Sequence, residues 1–321
     1  MEDILSIKNL NVDFSVKGGM LSAVHGVGFN IKKGEVYALV GESGCGKSTV
    51  AFSTMGLLEK DNSLVTGSIK FKGEEILEAQ EKTLEKIRGK GIGMIFQNPL
   101  DSLNPVYRSG YQVREAILLD EKNHRKAWEQ VEGLFKDVQI PDAKKRMQAF
   151  PHELSGGMRQ RVMIAMMLSR NPELLICDEP TTALDVTIEA QILNIIRRLR
   201  DEYNTAFLII THNFGIVAEL ADRIGVMYAG ELIEEGDVFT IFDDPMHPYT
   251  RALLKALPRQ SKHQGRLETI EGVVPRILGE YKGCRFCNRC PFADEVCRTE
   301  SPEGKTIEEG HTVRCHKAGV L

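Results

Sequence analysis

Cysteine is scarce in this chain, with seven in 321 residues, and tryptophan occurs once. Apolar runs are short; the longest are strand-like pieces such as AFLII (206–210). None approaches the roughly 20 residues needed to span a bilayer as a helix. The opening MEDILSIKNL is acidic and lacks a long apolar stretch, which excludes the pattern of a secretory signal. Neither sign of charge dominates: 41 basic and 45 acidic residues leave a formal net charge of -4. Nothing in that balance calls for nucleic acid as a partner. Internal repeats and low-complexity tracts are absent. The expectation is a cytosolic protein, in which paired disulfides are unfavourable and grouped cysteines suggest metal. The grouping is pronounced, because five of the seven cysteines fall within residues 284–315.

Length allows one large domain and a smaller one. Residues 4–40 alternate β-like runs with turns (KGG, KKGE) and predict a small antiparallel layer. Three compact apolar runs, VYALV (36–40), LLIC (174–177) and AFLII, are each followed by polar or glycine-rich residues. They read as buried parallel strands of an α/β domain. Residues 110–170 are mostly helical in pattern. There Trp128, Val131, Phe135 and Val138 recur at spacings of three and four, which marks a core face. After about residue 240 the texture changes to a proline-bounded short helix in DDPMHPYTRALLKALP, then to a stretch punctuated by glycine and proline.

GESGCGKS (41–48) matches G-x-x-x-x-G-K-[ST], follows directly on VYALV and leads into a helical segment. That strand–loop–helix context identifies a phosphate-binding loop. Gly41, Gly44 and Gly46 let backbone amides close around phosphate oxygens with no Cβ in the way, and the following helix presents its positive end. Lys47 suits the β/γ-phosphates and Ser48 a Mg²⁺ ion. Glu42, Ser43, Cys45 and Thr49 complete the expected ATP-binding stretch, Cys45 occupying a variable slot. LLICDEP (174–180) ends an apolar strand in two carboxylates, at the sheet edge where such folds bind ligands. Asp178 suits the Mg²⁺ shell, and Glu179 is placed to orient or deprotonate an attacking water.

With these motifs stand LSGGM (154–158), Gln97 in IFQNP, Ala183–Leu184–Asp185, and His212 closing AFLIITH. In this order, over residues 4–240, the set resembles the ABC ATPases. The resemblance implies an α/β P-loop ATPase fold with an antiparallel β layer, a parallel-sheet core and a helical subdomain at about 98–170, in a domain of residues 1–240. It implies that Ser155, Gly156 and Gly157 hold the γ-phosphate of an ATP on a partner subunit, so that two chains sandwich two nucleotides head to tail. A capped helix start with exposed amides suits that task. Gln97 is expected at the Mg²⁺ or the attacking water, His212 at the γ-phosphate, Asp185 between the two sites and Phe14 on the adenine. One motif set per chain implies a homodimer or a heterodimer with a similar ATPase.

DPMHPYTRALLKALP, GVVP (272–275) and the cysteine-rich end resemble the C-terminal region of ATPases that serve oligopeptide and dipeptide importers. The resemblance implies a second, small Cys-rich domain at 241–321, two membrane permeases docked beside Gln97, a solute-binding protein working indirectly, and a prokaryotic protein on the cytoplasmic face of the cell membrane. Nickel and other solute importers share much of the pattern, so the cargo stays open. Cys284, Cys290, Cys297 and Cys315 resemble the family's four cysteines, Cys287 being extra. Four thiolates suit a [4Fe–4S] cluster or tetrahedral zinc; Pro291 after Cys290 favours the cluster. His311 and His316 are possible substitute ligands. A zinc-bearing tail on a DNA-associated ABC ATPase is the rival from another class. Residues 284–321 carry six Lys/Arg against six Asp/Glu, without the basic stripe that phosphate backbones require.

Overall fold

The structure is a computed structural model that describes residues 2–97, 103–180, 186–257 and 270–320, with the backbone alone at 186–188. The chain forms two compact units. One comprises Lys33–Glu35 and Gln80–Ile209 together with Glu2; the other comprises Asp3–Lys32, Val36–Ala79 and the residues from Ile210 onward.

The first unit is built on parallel pairing of the strands Ile92–Ile95 and Leu174–Asp178. Both are buried along their whole length, which is why they read as continuous apolar runs and not as alternating ones. Helices Ser109–Leu118, His124–Asp137, Ala143–Arg146 and Gly156–Leu168 belong to the same unit. Asn123 starts the second of these, its side-chain oxygen accepting from the N–H groups of Arg125 and Lys126 at 3.0 and 3.2 Å. Along that helix Ala127, Val131 and Phe135 recur every four residues and are fully buried, as is Val138 just beyond. Trp128 differs from the expected stripe. It is half-buried, meets the edge of Tyr111 at 5.1 Å, and carries the Arg114 guanidinium 4.7 Å from its ring centre.

The second unit holds an antiparallel sheet in the order Gly19–Lys32, Asp3–Val16, Ser63–Phe71, Glu74–Glu75. This is the layer expected from residues 4–40, and Ile4, Leu5, Ile7, Leu10 and Val12 are its buried positions on Asp3–Val16. A separate set of strands in this unit begins with Val36–Val40, parallel to Arg223–Tyr228. Arg223–Tyr228 pairs antiparallel with Glu231–Asp237, which pairs in turn with His311–Val313 and through it with Lys305–Glu308. The end of the chain is therefore stitched by backbone hydrogen bonds to the strands that carry the glycine-rich loop. A second stitch joins Ser22 N–H to the Ile277 carbonyl and Gly279 N–H to the Met20 carbonyl, both at 2.9 Å.

The burial of Phe135 gives a direct check. Phe135→Ala should lower unfolding stability by about 3–5 kcal/mol, read as a shift in the urea midpoint; a shift equivalent to less than about 1 kcal/mol would show that this face is not core.

Candidate functional site

The glycine-rich loop follows Val36–Val40 and opens the helix Lys47–Thr54. Gly46, the helix N-cap, sits at φ +103°, and a Cβ placed there would lie 2.5 Å from the Ala23 carbonyl oxygen. Gly41 is as constrained, with Met227 O only 2.3 Å from the corresponding Cβ position. These two glycines are fixed by backbone behind them. The Lys47 side chain is buried and folds back into the loop, its Nζ donating to the carbonyls of Gly41 at 2.8 Å and Glu42 at 2.9 Å. Cys45 Sγ lies 3.6 Å from the same amine. Burial pushes the Cys45 thiol pKa up, so it stays protonated and uncharged beside Lys47. Ser43 and Gly44 face solvent at the loop's open side, while Ser48 and Thr49 are half-buried at the helix start.

Glu42 is held at each of its polar groups. Its N–H donates to the Tyr249 hydroxyl at 3.0 Å, its carbonyl accepts from Lys47, and its carboxylate takes a two-pronged grip from Arg289 at 2.9 and 3.1 Å. Tyr249 and Arg289 both come from the region after residue 240, and neither was legible as a site residue. No local motif marks them, since the partner lies 247 positions away in the chain for Arg289.

In the first unit, Asp178 is buried at the end of Leu174–Asp178. Glu179 follows at φ +48°, in the left-handed region that non-glycine residues rarely adopt. Gln97 Nε2 donates to Glu179 Oε2 at 3.0 Å, so two residues singled out separately in the sequence are in direct contact. Pro180, next in the chain, is held by a residue that sequence reasoning missed. Gln160, buried on the helix Gly156–Leu168, donates its Nε2 to the Pro180 carbonyl at 2.8 Å. An amide inside an apolar-looking helix was its one visible signal. At the start of that helix Ser155 is the N-cap, its Oγ accepting from Met158 N–H at 3.3 Å. Ser155 and Gly156 are exposed, with open space beside Gly156.

His212 is exposed just past the strand Ala206–Thr211. Phe14 lies half-buried on Asp3–Val16, opposite Leu21 and Ser63. Asp185, with Ala183 and Leu184, lies outside the described residues.

Cys284, Cys287, Cys290, Cys297 and Cys315 line one small hollow with Phe286, Phe292 and His316. The fold thus gathers these cysteines in space as well as along the chain, and Cys287, the one extra to the family's four, is among them. All are free thiols. Burial raises the Cys284 thiol to about 12 and lifts those of Cys290, Cys297 and Cys315. The expected metal centre is nevertheless not supported: among the described residues no group of three or more His, Cys, Asp or Glu is placed to hold an ion. Convergent donors of the right type are present, without the mutual spacing of a ligand cage. His311 is no substitute ligand, because its Nε2 pairs at 2.9 Å with the buried Glu234 carboxylate, which also accepts from the N–H groups of Met246 and His247. That hydrogen bond raises the His311 pKa, whereas burial lowers that of His247 to about 4.

Comparison with known proteins places these features. A family model described as ABC transporter matches residues 24–182, and one described as oligopeptide/dipeptide transporter, C-terminal region, matches 233–297. The chain is 46% identical over 321 residues to a probable peptide ABC transporter ATP-binding protein of Sinorhizobium fredii, covering 99% of this chain and 96% of the relative. It is 45% identical over 318 residues to the dipeptide transport ATP-binding protein DppD of Bacillus subtilis, covering 98% of this chain and 95% of the relative. The chain belongs to the ABC transporter ATP-binding subunits of the oligopeptide/dipeptide type. It is an ABC-type ATPase. Its fold is similar to a dimeric ATP-binding cassette, MJ0796, in a post-hydrolysis state bound to ADP and Pi. That likeness has a TM-score of 0.66 at 25% identity, over 73% of this chain and 98% of the other. It is also similar to cbiO1 of Clostridium perfringens, at a TM-score of 0.65 and 30% identity, over 76% and 92% of the two chains. This ABC ATPase has, among its described residues, no helix long and apolar enough to cross a membrane.

Because Gly46 combines a positive φ with a carbonyl 2.5 Å from any Cβ, Gly46→Ala must displace the loop. Calorimetric titration with MgATP should show at least about a tenfold loss of affinity, equivalent to about 1.4 kcal/mol, and parental binding would show that the loop is not the nucleotide site.

Proposed function

We propose that this chain is the ATP-hydrolysing subunit of a membrane importer for di- and oligopeptides. The observation that carries the reading is the reach of the likeness. It spans both the ATPase region and the C-terminal region, at 45% identity over 98% of this chain to a subunit named for dipeptide transport. Among relatives of similar identity is the oligopeptide transport ATP-binding protein OppD of Escherichia coli, 47% identical over 301 residues, covering 93% of this chain and 89% of the relative.

The residues present fit an adenine nucleotide and Mg²⁺. The loop at Gly41–Thr49 has an open glycine side at Gly44 and a buried amine among its carbonyls, a donor set suited to phosphate. Ser48, Gln97 and Asp178 would hold Mg²⁺, which when bound neutralises charge on the terminal phosphates. Glu179 accepts a proton from the attacking water, with Gln97 fixing its Oε2 so that the carboxylate has one orientation. His212 contacts the γ-phosphate, Phe14 stacks on the adenine, and Asp185 links the two sites. Ser155, Gly156 and Gly157 serve the nucleotide of a partner ATPase, the heterodimer being favoured over the homodimer. Two permeases bring this subunit to the cytoplasmic face of the membrane, with a solute-binding protein upstream.

The reading divides the chain into the ATPase domain, 1–240, with its helical subdomain at about 98–170, and a Cys-rich domain, 241–321. For the latter we infer a [4Fe–4S] cluster held by Cys284, Cys290, Cys297 and Cys315, with zinc the alternative. What favours it is the convergence of the thiols on one hollow; against it, among the described residues no group of three or more donors is placed to hold an ion. Such a group would staple a tail too small for a large core of its own. Protein purified without oxygen should contain about four irons and four sulfides per chain; about one zinc in a colourless protein selects the alternative, and metal-free protein removes the centre altogether.

Glu179→Gln should retain MgATP binding, abolish steady-state turnover in the reconstituted transporter and accumulate the nucleotide-sandwiched dimer on gel filtration. Turnover near the parental rate in that variant would take the role of general base away from Glu179.

A further inference from the structure

A carboxylate at the second position of a phosphate-binding loop is unfavourable by simple electrostatics. Glu42 is half-buried, its charge belongs to the same loop as Lys47, and a bound polyanion would be repelled by it. The structure shows what offsets that charge. Arg289, only 7% exposed, places Nη1 2.9 Å from Glu42 Oε2 and Nη2 3.1 Å from Oε1, a forked pairing with one direction of approach. The guanidinium is itself held in place. Its Nε donates to the Glu271 carbonyl at 2.8 Å, Nη2 to the Ile270 carbonyl at 3.2 Å and Nη1 to the Tyr228 hydroxyl at 3.3 Å. Tyr249 meanwhile takes the Glu42 N–H, and its ring packs against Tyr228 and Phe286 at 4.7 and 5.4 Å.

A second arginine, four positions earlier, holds the residues on either side of one that meets the same loop. Arg285 is buried, donates to the Ala229 carbonyl at 2.5 Å and pairs with the buried Glu231 at 3.4 Å. Between those two residues, Gly230 N–H donates to the Cys45 carbonyl at 2.9 Å. The segment that bears the cysteines therefore holds the phosphate loop directly at Glu42 and supports the residue that holds it at Cys45. Both arginines lie inside the cysteine run, Arg285 directly after Cys284 and Arg289 directly before Cys290.

We propose that Arg289 is a positioning residue of the ATP site, which neutralises Glu42 and holds the phosphate loop in its binding conformation, so that the cysteine-bearing tail sets the affinity for ATP. The inference rests on the ATPase reading of the loop and concerns a region to which that reading assigns no contact with nucleotide. Two effects are combined in Arg289 and can be separated by substitution. Loss of the cation leaves Glu42 uncompensated in the loop, whereas loss of the fork alone leaves charge but not geometry.

The test is a double-mutant cycle on the full chain, read as MgATP affinity by calorimetry, and on the reconstituted transporter, read as KM and kcat. Arg289→Gln should weaken MgATP binding and raise KM about tenfold while kcat at saturating MgATP falls less than twofold. Arg289→Lys should lie between it and the parent. Glu42→Gln removes the charge that needs neutralising, so the double variant should bind MgATP more tightly than Arg289→Gln alone. Should Arg289→Gln fail to fold, Arg289→Lys together with the double variant carries the test through the same order of affinities. Parental affinity in Arg289→Gln, or losses that simply add in the double variant, would overturn the inference while leaving the ATPase reading standing. A parental chain that binds no MgATP, with Lys47→Ala no different, would instead overturn both.

Discussion

Everything in the second unit is arranged around the difficulty of bending a backbone tightly enough to turn successive N–H groups toward one small volume. At Gly46 that bend needs a positive φ and leaves no room for a Cβ before the Ala23 carbonyl. At Gly41 the Met227 carbonyl imposes the same restriction. Both obstructing carbonyls belong to other strands of the unit, so the loop is cast against a backbone mould and cannot relax independently of it. Lys47 then closes the inside, bridging the carbonyls of Gly41 and Glu42 with one amine. A cation buried this way is stabilised by oriented carbonyl dipoles, which also keeps it where a phosphate would meet it.

The chemistry of this loop was legible because each requirement is local. Glycine where φ is positive, lysine at the helix start and an apolar strand before them fall within a dozen residues. The strands Val36–Val40, Leu174–Asp178 and Ala206–Thr211 were equally legible, since a strand buried on both faces has no polar alternation to mislead a reader. The contact between Gln97 and Glu179 spans 82 positions, yet each member was already marked by its own motif. What stayed hidden is long-range pairing between residues with no motif. Arg289 and Tyr249 look like ordinary surface and helix residues until the fold brings them to Glu42. Glu234 is the plainest case. In ELIEEGD its carboxylate reads as one of several solvated acids, but it is buried beneath His311 and the amides of Met246 and His247. No spacing rule foretells that Glu231 and Glu234 are buried while Glu235 is only partly so.

The tail shows how far composition can be trusted. Grouped cysteines pointed to a metal centre; the fold brings them to one hollow, and no ion-holding group is found among the described residues. Composition says nothing of thiol-to-thiol spacing, and spacing separates a ligand cage from a set of buried sulfhydryls. Burial has raised the Cys284 thiol to about 12 and lifted those of Cys290, Cys297 and Cys315, chiefly by desolvation. Deprotonating them for a ligand role would need a cation to stabilise the thiolates.

Gln160 has a mechanical consequence. Its backbone lies in the helix whose first turn is Ser155–Gly157, and its side chain holds the carbonyl of Pro180, one residue past Glu179. The second turn of that helix and the residue after Glu179 are thereby joined within a single unit. The residue next to Glu179 therefore cannot shift without breaking that bond or moving the helix with it.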